Sequence, residues 1–247
     1  VNPEIRTLEG ESMADPVWQV VIADLRASRA IPGPERGRVD RALARAAASA
    51  HRRFEAHVRL GPDVLKGDEL QCVLRAGAPA LSFVTYLRAR VALEAGARTE
   101  LRAGIGAGSV ARLSRRGPFA SDGEAFHRAR AALEAARATG GTRRTGWVAG
   151  DPLFDPLADA VLGLADAVMV RWTGPQWEAV AGRLEAKGLF AIARERGVAF
   201  QSVSKRLRAA SWSEFQRAME VLELTARAAI AVPEASRPSV RRSPSRG

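Results

Sequence analysis

Cysteine is nearly absent from this chain. The single one, Cys72, sits in an apolar run, which excludes an internal disulfide and any cysteine-rich zinc site. Lysine is scarce as well, with only Lys66, Lys187 and Lys205 among 38 basic residues. No apolar run approaches the roughly 18–20 residues of a membrane span. The first residues lack the basic stretch and apolar core of a secretory signal. These absences predict a cytoplasmic protein without membrane attachment.

What is present is a large apolar fraction and a strong positive charge. With 247 residues, 47% of them hydrophobic, the chain can bury one large core or two smaller ones. The formal charge is +11 and the sequence pI about 11.2. The tail "PEASRPSVRRSPSRG" (233–247) contributes four arginines against one glutamate. A protein this basic attracts polyanions, and nucleic acid is the first candidate.

Periodicity orders the first half. "VWQVVIADL" (17–25) has the apolar, β-branched character of a buried strand. Residues 36–57 are Ala-rich, with no Pro and no Gly beyond Gly37, and predict a long helix. "HVRL" (57–60) and "DVLKGDELQCVL" (63–74) supply two strands around the turn Lys66-Gly67-Asp68-Glu69. A helix over 79–96 has Pro79 at its start and Gly96 past its end. Residues 100–110 form a strand carrying Gly104, Gly106 and Gly108. A helix over 121–139 is expected to open with Ser121 and Glu124 as a capping box, and "RRTGWVAG" (143–150) offers one more strand. The order predicts an α+β protein with a ferredoxin-like βαββαβ domain. Residues 1–15 read as a disordered extension, 16–150 as the ferredoxin-like domain, 151–231 as a helical domain and 232–247 as a disordered basic tail.

The strongest local pattern is "LFAIARERGVAFQSVSKRLRAA" (189–210). Ala193 stands four residues before Gly197, whose freedom at positive φ suits a tight helix–helix turn. Val203 and Leu207 share one face of the second helix. Its other face carries Gln201, Ser202, Ser204, Lys205, Arg206 and Arg208. Such a helix suits the DNA major groove, early residues meeting base edges and later cations meeting phosphates. The spacing resembles the helix-turn-helix of bacterial regulators and of sigma-factor region 4. A helical hairpin that binds only protein is the competing reading. DNA readers of this type act as dimers on two-fold sites, so a homodimer is expected. The apolar helix over 153–172 is a candidate interface.

Asp24 ends the first strand and Asp68 lies in the hairpin turn. If the fold brings them together, a Mg²⁺ between them would relieve their repulsion, and Lys66 would meet a phosphate or base. An ordinary surface turn explains Asp68 equally simply. The alternating glycines permit close packing of a neighbouring helix or strand. A ligand lying on Gly104, Gly106 and Gly108 is the other reading. No Gly-Lys-Ser/Thr follows them, so they are no Walker loop.

"VVIADLRASRAI", "KGDELQCVL", "LRAGIGAGSV" and "SDGEAFHRARAAL" occur in the order seen in the SatD family, and the chain resembles that family from about residue 17 to 228. The N-terminal half of that family is in turn similar to class III nucleotide cyclases and GGDEF diguanylate cyclases. The resemblance implies a cyclase-like fold, with Asp24 and Asp68 matching the cyclase metal aspartates and a nucleotide or cyclic nucleotide as ligand. It departs where cyclases carry an Asn and an Arg that steady the transition state, because His127 and Ala131 stand there. Binding is therefore expected in preference to catalysis. Three functions follow from the sequence: a DNA-binding transcriptional regulator with a nucleotide-binding domain; a Mg²⁺-dependent nucleotidyl cyclase or phosphohydrolase; and a non-enzymatic protein-interaction module.

Overall fold

The computed structural model describes residues 17–26, 32–65, 68–139 and 141–231. The expected N-terminal extension and basic tail lie outside these residues. The chain is α+β, with a mixed five-stranded sheet and eight α-helices among the described residues.

Strand β1 (Trp18–Leu25) is followed by helix α1 (Gly33–Arg53), strands β2 (Val58–Leu65) and β3 (Glu69–Leu74), helix α2 (Ala80–Ala95), strand β4 (Leu101–Gly108), helix α3 (Glu124–Ala138) and strand β5 (Thr145–Val148). The sheet order is β2-β3-β1-β4-β5. β1 lies antiparallel between β3 and β4, β2 pairs antiparallel with β3, and β5 adds parallel to β4. Side chains alternate across a strand, and β1 uses both faces. Val20 and Ile22 meet Ala125, Ala129 and Leu133 of α3. Val21, Ala23 and Leu25 join the core formed with α1 and α2.

Three elements differ from expectation for local reasons. α1 begins at Gly33, three residues early, because Pro34 has its φ set for the first turn of a helix. It stops at Arg53, and buried Phe54 packs edge-on against Phe83 and Tyr86 at 5.4 and 5.9 Å. β2 joins 57–60 to 63–65 through Gly61, whose φ of 78° absorbs a shift in register. The capping box at Ser121 does not form. The helix starts at Glu124 behind Gly123, which has a φ of 149°. Ser121 instead accepts a hydrogen bond from the Ser114 amide and donates to the Gly117 carbonyl.

The second half is helical, as expected: α4 (Phe154–Met169), α5 (Gly174–Leu184), α6 (Leu189–Arg196), α7 (Phe200–Ala209) and α8 (Trp212–Ala231). α4 packs on β5 and α8, while α5 and α8 pack on α2. Trp172 sits edge-on to Trp177 and Phe215. Residue 150 marks a change from sheet to helix, yet one apolar core runs across it from β1 to α8.

A buried polar tie joins the halves. Asp166 of α4 is fully buried, and Arg88 of α2 is 6% exposed. Arg88 Nη1 donates to Asp166 Oδ1 at 3.0 Å and to Thr145 Oγ1 at 2.7 Å, and its Nε donates to the Leu101 carbonyl. The other carboxylate oxygen accepts the backbone amides of Arg144 and Thr145, each at 2.6 Å. Burial pushes the Arg88 guanidinium below its usual range, and Asp166 acts against that shift. Among the described residues no helix is long and apolar enough to cross a membrane.

Candidate nucleic-acid interface and the acidic strand ends

α5 is capped by Thr173, whose amide donates to Gln176 Oε1 at 2.7 Å. α6 ends at Gly197, which adopts the left-handed conformation (φ 62°, ψ 34°). The Val198 amide donates back to the Ala193 carbonyl. Ile192 and Ala193 of α6 and Val203 and Leu207 of α7 are buried against each other's helices. This packing leaves Gln201, Lys205 and Arg208 exposed, with Ser202, Ser204 and Arg206 half-buried. Lys205 and Arg208 have no acidic partner among the described residues.

Arg206 behaves differently from its expected outward role. Its Nη1 donates to Glu178 Oε2 of α5 at 3.2 Å, and Arg196 approaches the same carboxylate at 4.0 Å. A side chain tied back in this way braces the hairpin. Phe190, 75% exposed, stacks on Phe200 at the start of α7 with ring centres 4.7 Å apart. That pair places a broad apolar surface beside the amino end of α7.

The acidic residues at the sheet end are arranged by strand alternation. Asp24 follows Val20 and Ile22 on the α3 face, directly across from Glu69 on β3 and Arg102 on β4. Arg137 of α3 donates to Asp24 Oδ2 at 2.8 Å, and Arg102 Nε lies 3.6 Å from Oδ1. Arg130 grips Glu69 with two bonds of 2.7 and 3.1 Å. That bidentate contact holds the Glu69 carboxyl below the usual carboxylate range, against the opposing effect of burial. Glu134 pairs with Arg137. Three carboxylates thus face three arginines.

Asp68 takes a different direction. Its carboxylate pairs with Arg36 of α1 at 3.6 Å, and α1 lies on the sheet face opposite α3. The sequence expectation gives Asp24 and Asp68 one shared Mg²⁺; in the structure both carboxylates lie beside arginines, Asp24 with Arg102 and Arg137 and Asp68 with Arg36. Among the described residues no three His, Cys, Asp or Glu side chains group as metal ligands. Lys66, the third member of the expected set, lies outside the described residues with Gly67.

The glycines serve packing. A Cβ on Gly104 or Gly106 would overlap the backbone of Ala129 and its neighbours on α3, and one on Gly108 would come within 2.7 Å of Glu124 Oε2. α3 therefore occupies the face on which a ligand was the alternative reading. His127 and Ala131 lie on the exposed side of α3, with His127 Nε2 3.4 Å from Asp122. Sequence reading missed the stripe Arg130, Glu134, Arg137. Its signal was present, because residues spaced by four and three share a helix face.

These features define an α+β protein in which a mixed sheet and a helical half share one core. No protein-family model matches the chain, and no curated protein is significantly similar to it.

Proposed function

We propose that this protein is a DNA-binding transcriptional regulator that reads the major groove with α7. The observation that carries the reading is the pair Lys205 and Arg208, exposed without acidic partners on the side of α7 away from Val203 and Leu207. In this reading α6 and α7 form a helix-turn-helix, supported by the left-handed turn at Gly197. The first six elements form a ferredoxin-like unit, supported by the strand order β2-β3-β1-β4. That unit is the ligand-responsive part, with a nucleotide or cyclic nucleotide as the expected class. Turnover is not part of the proposal, since Asp24 is committed to Arg102 and Arg137.

Fluorescence anisotropy with promoter DNA across a salt series tests the reading. The double variant K205A/R208A is expected to bind at least about tenfold more weakly, and its log K–log salt slope should flatten by about 0.9 per lost phosphate contact. Unchanged affinity and slope would remove α7 as the DNA-reading helix.

The protein is proposed to act as a homodimer. α4 leaves Leu157 and Leu164 exposed with Leu153 just before it, and neighbouring α8 leaves Val221 and Leu224 exposed. A stripe of this kind on two touching helices suits an isologous contact. Leu164→Arg is expected to shift the sedimentation coefficient from dimer to monomer. Wild-type protein that sediments as a monomer at DNA-binding concentrations would refute the assignment.

A further inference from the structure

The sheet-bearing and helical halves meet along an open cavity of about 700 Å³. Val39 and Arg38 of α1 line one side, the loop Ala97–Glu100 another, and Val170, Trp172 and Thr173 the third. A narrow inner pocket of about 40 Å³ adjoins it, sharing Ala97, Thr99, Glu100 and Val170. The larger volume is in the range of small-molecule sites, which lie preferentially where two structural units meet.

The cavity lining has an excess of one cation, Arg26, Arg38 and Arg98 against Glu35 and Glu100. Arg26 and Arg144 divide one carboxylate, Glu100, each at 2.8 Å. Arg38 reaches only the Ala95 carbonyl, at 3.4 Å, and Arg98 is exposed with no partner among the described residues. In the inner pocket, Arg88 is more than nine-tenths buried, and its Nη2 is a buried donor with no hydrogen-bond partner. A buried donor without an acceptor carries a desolvation cost that a bound anion or water would relieve. The apolar part of the wall is Val39, Val170 and the Trp172 ring.

Trp172 connects this cavity to α7. It is 4% exposed, and its Nε1 donates to the Ala210 carbonyl, one residue past α7, at 2.9 Å. It also packs edge-on against Trp177 of α5 and Phe215 of α8. A ligand that displaces the indole therefore acts directly on the end of the helix assigned to DNA.

We propose that this junction is an effector site for a small anionic molecule with a flat apolar body, the anion meeting the arginines and the body lying against Val170 and Trp172. Occupancy resets α7 through Trp172. The consequence for DNA rests on the reading of α7 given above, whereas the site itself does not.

Anilinonaphthalene sulfonate, an aromatic anion that fluoresces when sheltered from water, is the probe. Titrated into the full chain, it is expected to bind saturably at one site per chain. Val170→Trp, which fills the cavity, and R38A/R98A, which removes the unshared cations, should each weaken binding at least about tenfold, the scale of one charge-assisted hydrogen bond. Circular dichroism checks that both variants fold. Leu65→Ala, an exposed apolar residue of β2 outside the cavity, should leave the affinity unchanged. Binding that ignores V170W and R38A/R98A, or that falls with L65A instead, overturns the site. Saturating probe should change DNA affinity at least about fivefold in the wild type and leave V170W unaffected. Probe binding at the junction with no change in DNA affinity overturns the coupling alone. Probe binding by a chain that binds no DNA supports the site and refutes the α7 reading.

Discussion

Replacing Asp166 with alanine is expected to destabilise the protein by about 3–5 kcal/mol, the range for removing one partner of a buried ion pair. Against a typical total of about 5–15 kcal/mol, that is a large part of the stability. The physical reason is the number of groups left without partners. Arg88 would keep a buried positive charge, the Thr145 hydroxyl would lose its acceptor, and the amides of Arg144 and Thr145 would face a void. Urea denaturation followed by tryptophan fluorescence measures the loss. A second variant separates charge from packing. Arg88→Leu in the D166A background removes the stranded guanidinium and should recover part of the stability, since an apolar pair of similar volume can replace a buried ion pair at little cost. A loss below about 1 kcal/mol in D166A, the worth of an ordinary net hydrogen bond, would show that this tie does not hold α4 to the sheet.

The second large effect is expected at Gly106. An added methyl group would overlap the backbone of Ala125 and Ala129, and a helix backbone cannot move aside as a flexible side chain can. Gly106→Ala should therefore cost about 3 kcal/mol or more, at the upper end of overpacking effects. The damage should spread along α3. Lifting that helix from β4 withdraws Arg137 from Asp24 and Arg130 from Glu69, two contacts that depend on the same close approach. Thermal unfolding gives the overall loss, and amide exchange along 124–138 shows whether α3 is the part that loosens. Thr99→Ala, in the loop that precedes β4, is the control. A G106A protein with wild-type melting and exchange would mean that α3 does not seat on the glycines.

The two halves of the chain were readable for different reasons. In the first half, strand alternation placed Val20, Ile22 and Asp24 on one face and Val21, Ala23 and Leu25 on the other. The helical hairpin at 189–209 was readable because its determinants lie within twenty residues: a small residue at 193, a glycine at 197, and apolar residues at 203 and 207. The capping box at Ser121 was a local rule that failed locally, since Gly123 bends the chain before a serine cap can form. α5 was not separated from the general helical stretch, although Thr173 and Gln176 are spaced as a capping pair.

The sequence by itself determined the α+β class, the order of strands and helices, and which face of α7 is polar. These follow from periods of two and 3.6 residues and from the backbone freedom of single glycines, all properties of short segments. Only the tertiary structure decided where the charges are spent. Asp24 meets Arg102 and Arg137, Asp68 turns to Arg36, and Arg206 turns to Glu178. It also decided that Gly104, Gly106 and Gly108 seat a helix, and that a cationic cavity opens beside Trp172. An ion pair depends on which side chains arrive within about 4 Å, and that distance is set by the packing of elements far apart in the chain.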